Sequence, residues 1–107
     1  MQEYIQIITT VDKREQAKAI AAALVEKKLA GCVQVIGPVS STYRWKGKIE
    51  TAEEWLCLIK PRQDLYKDLE AAIHEIHPYE VPEILAMPVL AGSQHYLEWL
   101  EAAVRKP

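Results

Sequence analysis

The sequence predicts an α+β fold of the ferredoxin-like, split-βαβ kind, β-α-β-β-α-β plus a C-terminal helix, with a long central β-hairpin. Three observations predict it. Short β-branched runs alternate with longer stretches whose apolar residues recur at helical spacing. The two middle runs, Cys32 to Trp45 and Ile49 to Ile59, are separated only by a tight glycine turn and so read as a hairpin. The chain has 107 residues, 50% apolar and 26% charged, which suits one globular domain with its own core.

Tyr4 to Thr9 is short and β-branched, and reads as a strand covered on both faces. Asp12 offers an N-cap, with Glu15 three residues on as a capping-box partner. Lys13 to Leu29 reads as a helix with Ala17, Ile20, Ala21 and Leu24 on one face. Lys27 and Lys28 fall in its last turn, where positive charge suits the helix dipole, and Gly31 ends it. Cys32 to Ile36 is a strand that Gly37-Pro38 interrupts with a bulge, a bend or an edge, and Val39 to Trp45 resumes it. Lys46-Gly47-Lys48 supplies the turn, and the return strand runs to Ile59 before Pro61 closes it. Leu65, Leu69, Ala72, Ile73 and Ile76 mark one face of a second helix. Pro78 and Pro82 exclude helix from the segment that follows. Ile84 to Leu90 is a fourth strand in which Pro88 favours an edge or a bulge. Ser93 caps a last helix with Leu97, Leu100 and Val104 on one face.

The hairpin bears on assembly. Fourteen residues from Cys32 to Trp45 would reach about 46 Å when extended, against roughly 34 Å for the diameter of a compact domain of this length. Either Gly37-Pro38 folds the hairpin back, or it overshoots its own domain. An overshooting hairpin with Tyr43, Trp45 and Trp55 is an aggregation edge unless another chain covers it, and closed homo-oligomerisation is the economical answer.

Charge excludes several classes. Thirteen basic and 15 acidic residues leave a formal charge of −2, and no basic block forms a nucleic-acid or membrane-surface footprint. No apolar run approaches the roughly 18–20 residues of a spanning helix. The start, Met1-Gln2-Glu3-Tyr4, lacks the pattern of a signal peptide, so the expected location is cytoplasmic, with Cys32 and Cys57 as thiols. No G-x-S-x-G, H-E-x-x-H, P-loop or zinc-knuckle spacing occurs, and no enzymatic activity is expected.

Several stretches carry a resemblance. Ala30-Gly31-Cys32-Val33, Gly37-Pro38, Ser41-x-Tyr43-x-Trp45-x-Gly47, Glu53 to Lys60, His77-Pro-Tyr-Glu-Val-Pro-Glu-Ile84 and Tyr96-Leu97-x-Trp99-Leu100 occur in that order over nearly the whole chain. This pattern resembles the CutA-type divalent-cation-tolerance family. The resemblance implies a ferredoxin-like homotrimer with interlocked hairpins, tolerance of copper and other divalent metals, and weak binding of Cu²⁺ or another divalent cation. Its architecture is similar to that of PII-type signalling proteins, which implies an alternative: a sensor holding a small anionic metabolite between subunits. A trimeric scaffold for other proteins is a third reading. Some family members place a cysteine at the end of the first strand and a histidine before the His-Pro-Tyr run as candidate copper ligands. This chain has Thr9 and Ile76 there, and it continues Lys60 with Pro61 where the family usually has threonine.

The candidate metal ligands are His77, Cys32, Glu80 and Glu83. Imidazole suits Cu(II) and Zn(II), and carboxylates are harder donors. His77, Glu80 and Glu83 are spaced three apart, but the prolines prevent a single helical face from presenting them. A site there needs a loop geometry or a second subunit; the alternative is that His77 and Tyr79 brace the segment by hydrogen bonds and packing. Cys32 matches a family position, whereas Cys57 reads as core. Tyr43, Trp45, Lys60, Tyr79 and Trp99 are the candidates for a cleft or interface, with Lys60 as counter-charge for an anion. Glu50, Glu53 and Glu54 read as a solvated face or as intersubunit ion pairs. His74 and His95 are expected in solvent.

Overall fold

A computed structural model describes residues 3–107. Strand β1 (Ile5–Val11) is central, with β3 (Lys48–Lys60) on one side and β4 (Leu85–Pro88) on the other. Beyond β3 lies β2 (Cys32–Trp45), giving the order β2-β3-β1-β4 with every neighbouring pair antiparallel. Strand β3 is thus inserted between β1 and β2, which is the expected split βαβ. Helices α1 (Arg14–Glu26), α2 (Tyr66–Ile76) and α3 (Gln94–Ala103) complete the α+β order. Helix α1 lies against β1, β2 and β3 and touches α2. The core between them contains Ile5, Ile7, Ile20, Leu24, Ile59, Leu69 and Ile73. Strand β1 is not covered on both faces as expected: Gln6 and Ile8 alternate with the core residues and are half-buried.

The ends of α1 differ from their sequence reading. Lys13, not Asp12, is the N-cap and makes no side-chain cap, so the capping box does not form. Glu15 still sits in the first turn, where a carboxylate suits the dipole. At the other end Lys28 takes the left-handed conformation, with φ 59°. Its N–H donates to Val25 O at 3.0 Å, and Leu29 N–H donates to Leu24 O at 3.0 Å, a Schellman closure with Leu24 and Leu29 both buried. Gly31 has a different task. A Cβ there would stand 2.6 Å from Leu100 Cδ1, so the missing side chain lets α3 dock.

The hairpin leaves the body. Between Ile36↔Leu56 and Val39↔Glu54 the register shifts, so the bulge expected at Gly37-Pro38 forms without folding the hairpin back. The Gly37–Pro38 peptide is cis. Trp55 lies flat against Gly37, where a Cβ would meet indole Cδ1 at 2.5 Å. Lys46 and Gly47 both have positive φ, 51° and 80°, the signature of a type I′ turn whose twist matches the strands. No residue from Val39 to Glu53 is buried, and the chain extends 44 Å along its long axis against 26 and 22 Å across. Strand β4 is shorter than expected and lies at an edge, where Pro88 costs no ladder bond to a further strand. A 3-10 turn, Gln63–Leu65, leads into α2, which buries Leu69, Ala72 and Ile73 but leaves Ile76 exposed. Ser93 caps α3 as read, its Oγ accepting from Tyr96 N–H at 3.3 Å.

Two consequences are measurable by urea unfolding. Lys28→Gly should gain about 0.5–1 kcal/mol by relieving the left-handed backbone, net of the added chain entropy of glycine; an unchanged midpoint would contradict the Schellman account. Gly37→Ala should cost about 1–3 kcal/mol, because a rigid indole cannot yield. Gly31→Ala should cost less, since Leu100 Cδ1 is the end of a flexible side chain.

Candidate functional site

The segment after α2 is held by its own side chains. His77 is the C-cap of α2, its N–H donating to Ile73 O at 2.8 Å, and Pro78 keeps it extended. His77 is 9% exposed, and its ring faces the end of β1. Nε2 lies 2.8 Å from the Thr10 carbonyl, and Tyr79 N–H donates to Nδ1 at 3.1 Å. Those partners define a neutral ring with its proton on Nε2. The Tyr79 ring meets His77 edge-on, with centroids 4.9 Å apart. Its hydroxyl donates to Glu54 Oε2 at 2.6 Å. Glu54 is 7% exposed and stands just past the hairpin bulge, opposite Val39. One chain of contacts therefore ties β1, the 77–83 segment and the hairpin base together.

Electrostatics follow from burial. Desolvation pushes His77 below the ordinary imidazole value of 6.5, against the opposing pull of the Thr10 carbonyl. Desolvation first, and then the Glu54 hydrogen bond, raise Tyr79 well above the usual phenol range.

Beside this chain opens a groove of about 590 Å³. The hairpin supplies Tyr43 and Trp45 as one wall, and Tyr79, Glu80 and Glu83 come from the opposite segment. Glu54 lies in its lining, and among the described residues no lysine or arginine lines it.

The structure thus gathers Tyr43, Trp45, Tyr79, Glu80 and Glu83, but not the other candidates. His77 contributes no wall, and both its nitrogens are engaged. Cys32 begins β2, at the opposite end of that strand from the groove, and pairs with Lys60 in the ladder. Lys60 Nζ donates to Gln34 Oε1 at 3.1 Å. Trp99 belongs to α3, its ring tilted against Tyr96 at 5.6 Å. Among the described residues no three His, Cys, Asp or Glu side chains are placed to hold a metal ion, so His77, Cys32, Glu80 and Glu83 do not converge in this chain. The physical reasons are the two bonds on His77 and the length of β2. Cys57 is core, its Sγ 3.7 Å from the Ala17 carbonyl and its thiol pushed up to about 11 by burial. His74 and His95 are exposed, as read.

Two participants escaped the sequence reading. Glu54 reads from the sequence, with Glu50 and Glu53, as part of a solvated face or of intersubunit ion pairs, and it falls off the alternation that buries Cys57 and Ile59. It is buried because the Tyr79 segment folds over it. The Thr10 carbonyl is main chain, and no side-chain pattern could have marked it. The signal available was the length of the Tyr79 side chain in a proline-braced loop, which lets its hydroxyl reach a partner from another element.

Comparisons with known proteins agree with one another. Residues 5–103 match the family model described as CutA1 divalent ion tolerance protein. The divalent-cation tolerance protein CutA of Thermus thermophilus is 40% identical over 94 residues, 88% of this chain and 91% of that protein. The chloroplastic CutA protein of Arabidopsis thaliana is 41% identical over 101 residues, 94% of this chain but 56% of that protein. The chain spans about half the length of the plant and mammalian relatives it matches. Among solved structures, CutA1 from Oryza sativa matches with a TM-score of 0.96 at 36% identity, covering 99% of this chain and 97% of that one. A periplasmic CutA from Archaeoglobus fulgidus matches at 0.92 and 34% identity, covering 95% and 99%. The names include chloroplastic and periplasmic proteins; in this chain no helix among the described residues is long and apolar enough to cross a membrane.

The histidine geometry predicts an acid-sensitive contribution to stability. Because folding lowers the His77 pKa, the unfolded chain binds the extra proton more readily. The contribution is therefore full above about 6.5, the unfolded value, and is lost as pH falls through the lower folded value. Urea unfolding from pH 7.5 to 5 should show a steeper acid loss for the wild type than for His77→Gln. Parallel curves would remove His77 from that limb.

Proposed function

The chain belongs to the CutA1 divalent ion tolerance protein family, and we propose that it is a non-enzymatic homotrimer that draws divalent cations weakly into its acidic groove. The observation that carries this reading is the lining of the groove: Glu54, Glu80 and Glu83, with no cationic side chain among the described residues there. Clefts lined by one sign of charge concentrate ions of the other. Three copies at −2 apiece would add a net −6 to that field.

The residues do not fit a tight inner-sphere copper site within one protomer. Thr9 and Ile76 stand where some relatives carry candidate ligands, and His77 reaches a metal through Nδ1 only by giving up the Tyr79 amide. Glu80 and Glu83 are the available donors, and their hard oxygens suit a partly hydrated divalent ion. Cys32 stays outside this reading. Two free thiols fit a reducing, cytoplasmic setting.

Support for assembly comes from the hairpin. Its projecting half exposes Tyr43 by 43%, Trp45 by 40% and Ile49 by 69%, an edge that a second chain would cover. The number three comes from the family resemblance. No observation favours an anionic metabolite: the groove is acidic, and Lys60 is bound to Gln34 at the other end of β2.

Native mass spectrometry with and without Cu²⁺ tests both parts together. The expected result is a complex of three 12.2 kDa chains that retains metal at excess copper and less of it in Glu80→Gln/Glu83→Gln. A single-chain mass, or retention unchanged in that variant, would overturn the corresponding half.

A further inference from the structure

We propose that the cationic tip of the hairpin, residues 44–48, seats on the acidic and apolar strip 80–85 of a second copy, and that divalent cations compete with it there. This rests on the assembly proposed above and names the two surfaces that meet.

Neither surface finds an ionic partner in its own chain. The tip carries Arg44, Lys46 and Lys48, all exposed, and none of them forms an ion pair among the described residues. Lys46 Nζ lies over the Trp45 ring instead, 5.7 Å from its centroid. Arg44 is the cross-strand partner of Ile49, so a cation and an apolar side chain that is 69% exposed share one face of the arm. The strip repeats that mixture with the opposite sign. Val81, Glu83 and Leu85 are exposed, with Glu80 beside them, while the intervening Pro82 and Ile84 are half-buried. Among the described residues Glu80 and Glu83 form no ion pair either.

Complementarity selects the occupant. Cations beside an isoleucine match carboxylates beside valine and leucine, and such matching orients association and fixes its register. Within one chain Trp45 of the tip and Glu80 and Glu83 of the strip flank the same groove, yet no ion pair crosses it. The arm projects from its own body along the 44 Å axis, which presents the tip to a neighbour. The strip runs on into β4, an edge strand, so a seated arm also shields that edge. The tip of one copy on the strip of the next is a head-to-tail contact, the kind that closes into a ring. Glu80 and Glu83 are also the donors available to a divalent cation. By linkage, a cation held there weakens the tip by the same factor that the tip weakens the cation. Weak metal binding then has a structural cause.

Carbodiimide joins a lysine amine to a carboxylate in contact with it, and so tests the pairing directly on the full chain. Metal-free protein should give two-chain and three-chain bands on a denaturing gel. Peptide mapping of those bands should join Lys46 or Lys48 to Glu80 or Glu83. Mg²⁺ should reduce that link more than NaCl of the same ionic strength. Lys46→Glu/Lys48→Glu should abolish it. Lys46→Glu/Lys48→Glu/Glu80→Lys/Glu83→Lys should restore it with the two residue types exchanged, a rescue that general loss of structure does not allow. Lys67→Gln, at an exposed position of α2, should cross-link as the wild type. A link confined to single chains, or no link at all, would overturn the docking; a link that Mg²⁺ reduces no more than NaCl would overturn the competition. Native mass spectrometry of the same samples separates this contact from the assembly itself. Three chains without the link removes these two surfaces alone, and a single-chain mass removes the trimer with them.

Discussion

The candidate site depends on one buried imidazole. His77 joins two parts of the chain that share no ladder, the end of β1 through the Thr10 carbonyl and the proline-braced segment through the Tyr79 amide. With that segment fixed, Tyr79 is aimed at Glu54, and the hairpin base acquires a facing wall. Each link is a single hydrogen bond of modest net value. Their weight comes from burial, because a donor or acceptor released inside the protein has no water to replace its partner.

Much of this architecture was readable residue by residue. The apolar spacing in α1 and α2, the Lys46-Gly47 turn, Pro88 at an edge and the Ser93 cap all express local rules, and the structure follows them. The misreadings fall where distant parts decide the outcome. Asp12 lost its cap because β1 runs on to Val11 and the helix starts one residue later, at Arg14, and Lys28 accepts a left-handed turn so that Leu29 can be buried. Gly31 looked like helix punctuation but serves a contact with Leu100 in α3. The site was harder still. Its central bond joins Thr10 to His77 across 67 residues, and one partner is a carbonyl common to every residue type. Tyr43, Trp45 and Tyr79 read from the sequence as cleft or interface residues and Glu80 and Glu83 as metal ligands; all five line one groove, while the buried Glu54 beside them carries no sequence signal.

Charge alone does not choose an occupant for the groove. Its lining holds three carboxylates and, among the described residues, no cationic side chain. Selectivity needs more than attraction. Inner-sphere metal binding needs donors that converge, and the described residues of this chain hold no such group.

The projecting hairpin also has a consequence for the order of folding. Its outer ladder joins residues from 15 apart at Val39↔Glu54 to 3 apart at Trp45↔Lys48, starting from a turn whose twist is already correct. The central sheet must instead close loops as long as that between Ile5 and Pro88. Loop-closure entropy therefore favours early zipping of the arm, on the microsecond scale of hairpins, ahead of the long-range pairing of β1. The arm's exposed edge is thus presented to other chains before the core has formed, and concentration during synthesis becomes a variable in how this protein matures.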